Sequence, residues 1–195
     1  SLIKRIKKEA RTIEEAFRDD SEDCIFNTEN ISAQLAELRN NPIKHWRYIQ
    51  YYRDLETQKV GWRDVDQNKT ELYWKTISVT KPEDANKSYV EFGLKYPSRQ
   101  GIGVIGVDGY SNTQGGKKYG SKLSGWIFLN FDINDPENTG LFVGHIYGRP
   151  NEKEDMYNQI LLAAEYNGFP VFIEFVADDY FTYFKSRGRL GYLPK

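Results

Sequence analysis

Hydrophobic and polar residues alternate in a regular way from residue 103 onward. Short apolar runs over Gly103–Asp108, residues 123–131 and residues 140–147 are separated by segments rich in Gly, Ser, Asn and Asp. Runs of this length, bounded by turn-forming residues, are typical of strands. Three successive strands with short connections predict an antiparallel meander.

A helix, a strand and a second helix are predicted to follow the meander. Asn151 and Glu154 fit a capping box, and Gly168 fits the end of the helix that they begin. An apolar strand over residues 170–175 comes next, and then a helix over residues 178–187 that is acidic at its start and basic at its end. The order β-β-β-α-β-α predicts an α/β fold, with a mixed β-sheet flanked by helices.

The first part of the chain has a different character. Residues 1–55 are charged and helix-prone, with an amphipathic helix predicted within residues 30–41 and a helical stretch around His45 and Trp46. Their apolar residues form short stripes that cannot enclose a core, so we expect this part to pack on the rest of the chain or to trail from it. Residues 60–90 predict irregular strands or an extended connector.

Composition excludes several kinds of site. The chain has 27 Lys and Arg against 28 Asp and Glu, so any phosphate-binding surface must be a local patch. Cys24, His45 and His145 are the only cysteine and histidines, which leaves little material for disulfides, zinc sites or Cys–His catalysis. A metal ion would therefore be held by oxygen atoms. No apolar stretch is long enough for a membrane span, and we expect an intracellular protein without membrane contact.

Two carboxylates stand where apolar residues are expected. Asp108 ends the first strand of the meander, and Glu174 lies near the end of the fourth strand. A lone buried carboxylate is costly, so such groups are usually paired or bound to a metal. If the first and fourth strands are neighbours, the two acids meet at one end of the sheet and suit Mg²⁺ or Mn²⁺. The alternative that stays open is a turn residue at Asp108 and an arginine partner for Glu174.

Other charged residues have simpler interpretations. Glu165 is expected to be a solvated or salt-bridged helix residue, and Asp178 and Asp179 are expected to be favourable charges in a first helical turn. Two basic clusters are candidates for phosphate contacts beside the acids, although ordinary solvated loop residues fit them equally well. They are Lys117, Lys118 and Lys122 after the first strand, and Lys185, Arg187 and Arg189 after the fourth.

Several segments resemble the large terminase subunits of tailed phages. Residues 11–17, Arg-Thr-Ile-Glu-Glu-Ala-Phe, resemble the connector after the terminase ATPase domain, with Ala10 and Arg11 in place of the usual Tyr-Pro. Gly106-Val-Asp108 resembles the first catalytic strand of the terminase nuclease. The segments that resemble its helix and second catalytic strand are residues 147–157, 161–167 and 170–174.

The resemblance implies an RNase H-like nuclease that cuts concatemeric DNA during genome packaging. Asp108 and Glu174 are then metal ligands for Mg²⁺ or Mn²⁺, and the substrate is double-stranded DNA. Residues 1–55 correspond to the connector from an ATPase domain, and residues 56–195 correspond to the nuclease domain. The full-length protein is expected to work with the phage portal and small terminase in the host cytoplasm, encoded by a phage or a prophage.

A third acidic ligand of the family lies in a later segment, so we expect residues 1–195 to be a fragment with an incomplete ligand set. We expect this chain to cut DNA poorly and an extended chain to cut it with Mg²⁺ or Mn²⁺. Two alternatives stay open. One is another RNase H-like nuclease such as a resolvase. The other is a catalytically silent DNA-binding or docking module of a packaging motor.

Overall fold

The computed structural model describes residues 28–40, 46–108, 122–136, 139–148, 150, 152–173 and 179–194. The chain divides into two compact units, residues 1–45 and 46–195. In the first unit, helix α1 spans Thr28–Asn40, which confirms the helix predicted there. The rest of that unit, residues 1–27 and 41–45, lies outside the described residues.

The second unit is built on a mixed sheet. Within the described residues, seven strands form it in the order β2-β1-β3-β8-β7-β6-β9, and strands β4 and β5 form a separate hairpin. All neighbours in the large sheet are antiparallel except β6 and β9, which are parallel. The strands are β1 Arg47–Arg53, β2 Val60–Asp64, β3 Trp74–Thr76, β4 Ser88–Glu91, β5 Leu94–Pro97, β6 Gly103–Asp108, β7 Leu123–Leu129, β8 Leu141–Gly148 and β9 Val171–Ile173.

One face of the large sheet forms the core, because apolar residues occupy alternate positions of each strand. In β6, Ile105 and Val107 are buried, whereas Asp108 is exposed. The same alternation buries residues of the neighbouring strands, so the inner face is continuous across the sheet. Its fully buried members include Ile49, Trp74, Ile105, Leu123, Ile146 and Val171.

Helix α2, Lys153–Asn167, covers that inner face. It is buried from Met156 onward except at Asn158, because the sheet lies on one side and further elements lie on the other. Gly168 ends α2 in the left-handed conformation with φ 69°, as the sequence predicts. The N-cap is Glu152, one residue after the predicted cap Asn151, which lies outside the described residues.

An outer layer packs on α2. Helix α3, Asp179–Ser186, contacts it through Tyr180, whose ring centroid lies 3.9 Å from that of Tyr157. A 3₁₀ turn over Leu190–Tyr192 then packs on β5. Gly191 permits this approach, since a Cβ there would lie 2.5 Å from the carbonyl oxygen of Lys95. None of the helices among the described residues is long and apolar enough to cross a membrane.

The predicted order β-β-β-α-β-α is present over residues 103–186, and the fold is mixed α/β with helices against the sheet. The helical prediction around Trp46 was wrong for the residues that follow it. Arg47–Arg53 is strand β1, paired on both sides, because Ile49 and Tyr51 alternate toward the core. The compact unit therefore begins at Trp46, ten residues before the predicted boundary at residue 56.

Candidate functional site

Asp108 lies at the end of β6 on the face of the sheet away from α2. It is exposed and pairs across the strands with Ser124 of β7. The described residues place no cation in ion-pair contact with its carboxylate. Among the described residues, the group is therefore an exposed carboxylate without a cationic partner.

The first and fourth strands of the predicted set are paired in parallel as β6 and β9. Their last described pair is Val107 with Ile173, and Asp108 and Glu174 are the next residues in the sequence. The prediction that the first and fourth strands are neighbours is confirmed. Glu174 lies outside the described residues, and the meeting of the two carboxylates stays a prediction.

Aromatic rings form a row on the same face. Trp126 stacks on His145 with centroids 3.9 Å apart and planes 21° apart, and it meets the edge of Phe142 at 5.5 Å. Phe142 contacts Phe128, and His145 stacks on Tyr147. Trp126 is 41% exposed, Phe142 60% and Tyr147 56%. These rings offer flat apolar surface to solvent beside the exposed carboxylate of Asp108.

His145 is held in place on this face by polar and charged neighbours. Its Nε2 lies 3.1 Å from the hydroxyl oxygen of Ser124. Burial of the imidazole, and then the charge of Lys75, lower the pKa of His145 below its usual value of 6.5. The ring is therefore neutral at pH 7. The strand position predicted for His145 is confirmed, and its contacts make it a support for Trp126.

Of the first basic cluster, Lys117, Lys118 and Lys122, only Lys122 lies among the described residues. Lys122 is exposed and its Nζ lies 5.0 Å from the ring centroid of Tyr147, on the open face. Lys117 and Lys118 lie outside the described residues. A cation therefore stands beside the aromatic row, as a phosphate-binding surface requires.

The donor chemistry at the end of β6 fits a hard divalent cation. An exposed carboxylate supplies oxygen, which Mg²⁺ and Mn²⁺ prefer, and Mg²⁺ keeps several of its waters when it binds. Among the residues that the structure describes, no group of three or more His, Cys, Asp or Glu side chains converges. Asp108 is thus the one predicted ligand that can be placed.

A second polar cluster surrounds Glu165 on α2. Its carboxylate is 4% exposed and accepts hydrogen bonds from the guanidinium groups of Arg53 and Arg189, the latter at 2.5 Å from Nε. The Nζ of Lys95 lies 3.9 Å from the same carboxylate. Three cations therefore compensate one buried acid, and the salt-bridged role predicted for Glu165 is confirmed.

The second basic cluster belongs to this region. Arg187 and Arg189 line a cavity of about 500 Å³ with Glu165. Glu165 lies about 18 Å along the axis of α2 from Lys153, given the rise per residue of an α-helix. The start of α2 follows β8, whose last residue pairs beside the Asp108 end of the sheet. The structure thus brings Arg189 to Glu165 and away from Asp108.

The remaining charged candidates lie on α3. Lys185 is exposed in its last turn. Asp179 begins the helix and forms an ion pair with Lys153 at 3.2 Å, in agreement with a structural role. Asp178 lies outside the described residues.

Sequence reasoning missed the aromatic row. Trp126 and Phe128 alternate with buried residues along β7, and Phe142 is exposed at the start of β8. Large apolar residues at the outward positions of an alternating strand were the signal that indicated this surface.

Comparison with family models, curated proteins and solved structures finds no match to this chain.

Proposed function

We propose that this chain is a metal-dependent DNA endonuclease domain of the RNase H-like type, from the large terminase of a tailed phage. The observation that carries the proposal is the parallel pairing of β6 with β9 up to Val107 and Ile173, the residues that directly precede Asp108 and Glu174 in the sequence. That arrangement is the one that two carboxylates on the first and fourth strands require in order to share a cation. The domain would cut concatemeric DNA with the portal and small terminase as partners in the host cytoplasm.

Asp108 and Glu174 are the proposed ligands. When bound, Mg²⁺ or Mn²⁺ supplies an activated water and stabilises the leaving oxygen of a phosphodiester. The exposed position of Asp108 lets a hydrated cation approach with its waters retained. Lys122 contributes positive charge on the same face, where a DNA phosphate would lie.

The net charge of −1 supports a local binding surface over a general attraction to DNA. Phosphate contacts fix a protein on a duplex but carry no sequence information. Lys122, with Lys117 and Lys118, is therefore proposed to position the DNA backbone, while Asp108 faces the phosphodiester to be cut.

A catalytically silent DNA-binding module is the second candidate. One observation favours it: among the described residues no group of three or more possible ligand side chains converges, whereas an open aromatic face stands beside a lysine. Such a surface binds nucleic acid by stacking and by charge, without any metal.

Binding of Mn²⁺ separates the two candidates. We expect the chain to bind Mn²⁺ and Asp108→Asn to lose that binding by at least tenfold, while Glu91→Gln, an exposed carboxylate on the β4 hairpin, leaves it unchanged. Binding is measured by electron paramagnetic resonance of free Mn²⁺. Equal Mn²⁺ affinity in Asp108→Asn, or no Mn²⁺ binding by the parent chain, would overturn the nuclease proposal.

A further inference from the structure

Gly106 is a strand glycine without an internal reason to be glycine. Its φ is not among the positive values, and a Cβ built on it meets no atom of the described residues within 4 Å. Glycine weakens a strand interior, and there it often marks a bulge, a bend, or the close approach of a ligand or another backbone. None of the described residues fills the space above Gly106.

Three other glycines of these strands have close neighbours. A Cβ at Gly103 would lie 2.6 Å from the ring of Phe169, and one at Gly125 would lie 2.9 Å from Ile146. At Gly144 the distance to Ile127 would be 3.0 Å. Core packing opposes a side chain at Gly103 and Gly125 and crowds one at Gly144, whereas none of the described residues crowds one at Gly106.

Two exposed aromatic residues flank this space. Gly106 pairs with Trp126 on one side and with Phe172 on the other, and Phe172 is 53% exposed. The two aromatic residues are thus two strand spacings apart, or roughly 10 Å. A planar ring in van der Waals contact with a ring on each side needs roughly 7–8 Å. The gap over Gly106 is wide enough for one such ring.

Trp126 is oriented to form one wall of the gap. One face of its indole stacks on His145 of β8 at 3.9 Å. Because β8 lies on one side of β7 and β6 on the other, the opposite indole face is turned toward Gly106. Trp126 pairs with His145 across β7 and β8, and His145 pairs with Lys75 across β8 and β3. The positions next to Gly106 on this side therefore end in a positive charge.

We propose that the slot over Gly106, between Trp126 and Phe172, receives one unstacked base of a DNA strand. Stacking on aromatic side chains beside cations is how proteins bind single-stranded nucleic acid. Lys122 and Lys75 supply the charge that a polyanion requires and an apolar peptide does not. The proposal rests on the nuclease function above, because Asp108 follows Gly106 on the same strand face, about 7 Å away.

The proposal is tested with a variant, Gly106→Leu, whose side chain occupies the slot. A single-stranded thymidine oligonucleotide of about twelve nucleotides is titrated in EDTA and followed by fluorescence anisotropy. We expect Gly106→Leu to weaken binding roughly tenfold or more, while its thermal midpoint is no lower than that of the parent chain. Gly101→Leu is the matched control, because a Cβ there also meets nothing within 4 Å among the described residues and Gly101 lies outside the slot. It should bind within about twofold of the parent chain.

A second variant and a second readout guard against a folding artefact. Phe172→Ala removes one wall at an exposed position and should weaken binding to a similar extent. Tryptophan fluorescence should be quenched by the oligonucleotide, and Trp126→Leu should abolish most of that quenching. A duplex of the same sequence should cause less quenching, since its bases are already stacked. Equal quenching by the duplex, or parental affinity in Gly106→Leu and Phe172→Ala, would overturn the proposal.

The chelator keeps this test independent of the metal chemistry. If Asp108→Asn loses Mn²⁺ while Gly106→Leu binds the oligonucleotide like the parent chain, the slot is wrong and the nuclease proposal stands. If the slot variants lose binding while the parent chain binds no Mn²⁺, the nuclease proposal is wrong and the slot stands.

Discussion

Two carboxylates of this chain are treated in opposite ways by the fold. Glu165 is 4% exposed and has Arg53, Arg189 and Lys95 around it. Asp108 is exposed at a strand end, and the described residues place no cation against it. A buried charge is tolerated when hydrogen-bonded cations compensate it. A carboxylate that is exposed, and that none of the described residues compensates, is a candidate for binding a ligand.

The basic residues around the two carboxylates differ as well. Arg53 and Arg189 each donate to Glu165 and to backbone carbonyl oxygens, so part of their donor capacity is engaged inside the fold. Lys122 is exposed and lies over the ring of Tyr147. Counting basic residues near an acid in the sequence therefore does not identify a DNA-binding surface.

The largest effect is expected from changing each acid to its amide. Glu165→Gln should lower the free energy of unfolding by about 3–5 kcal/mol, because it leaves three cations around a neutral group. Asp108→Asn should change it by less than about 0.5 kcal/mol, as is usual for an exposed position. Urea denaturation at pH 7 measures both. If the two variants lost similar stability, the contrast between the regions would be false.

A smaller loss is expected when one cation of the Glu165 cluster is removed. Arg189→Met should cost about 2–3 kcal/mol, because Arg53 and Lys95 still face the carboxylate. Arg187→Met is the control two residues earlier, since its guanidinium lies over the ring of Tyr183. It should cost less than about 1 kcal/mol. An Arg187 variant less stable than the Arg189 variant would reassign the ion pair.

Lys95 should contribute little or even be unfavourable. Partial burial, and then repulsion from Arg189, lower its pKa, while Glu165 opposes the shift. A lowered pKa in the folded state means that this contribution to stability is present above the unfolded value of 10.5 and is lost as the pH falls below it. At pH 7, Lys95→Met should therefore leave stability unchanged or raise it by less than about 1 kcal/mol. A clear loss in urea denaturation would show that its attraction to Glu165 dominates.

The sequence predicted a helix or a strand correctly where its hydrophobic repeat extended over several residues. The elements over residues 103–186 follow from apolar alternation, from the amphipathic pattern of α2 and from Gly168 as a helix end. Strand β1 was missed because only Ile49 and Tyr51 alternate inward within a charged, aromatic segment. Two alternating positions are too few to predict a strand directly after a segment whose composition favours a helix.

The candidate site was only half predictable for a different reason. Asp108 could be proposed from the sequence because a carboxylate ends an apolar strand, which is a local signal. The slot over Gly106 depends on Phe172 and Trp126, which come from separate strands and meet through register. The cations of Glu165 are equally remote in sequence. Such juxtapositions carry no local pattern, so only the strand order and the packing of α2 reveal them.

The smallest effect concerns the pH response of the open face. Burial against its neighbours, and then the charge of Lys75, lower the pKa of His145 below 6.5. Because the folded pKa is lowered, the contribution of His145 to stability is complete above pH 6.5 and is lost as the pH falls through the folded pKa. Lys75→Met should raise that pKa only in part, since the larger cause remains. Trp126→Leu, which exposes the face of the imidazole, should raise the pKa of His145 more. Proton resonance titration can follow the two histidines separately, with His45→Gln to assign them, and a larger effect from Lys75→Met than from Trp126→Leu would show that charge and not burial governs this face.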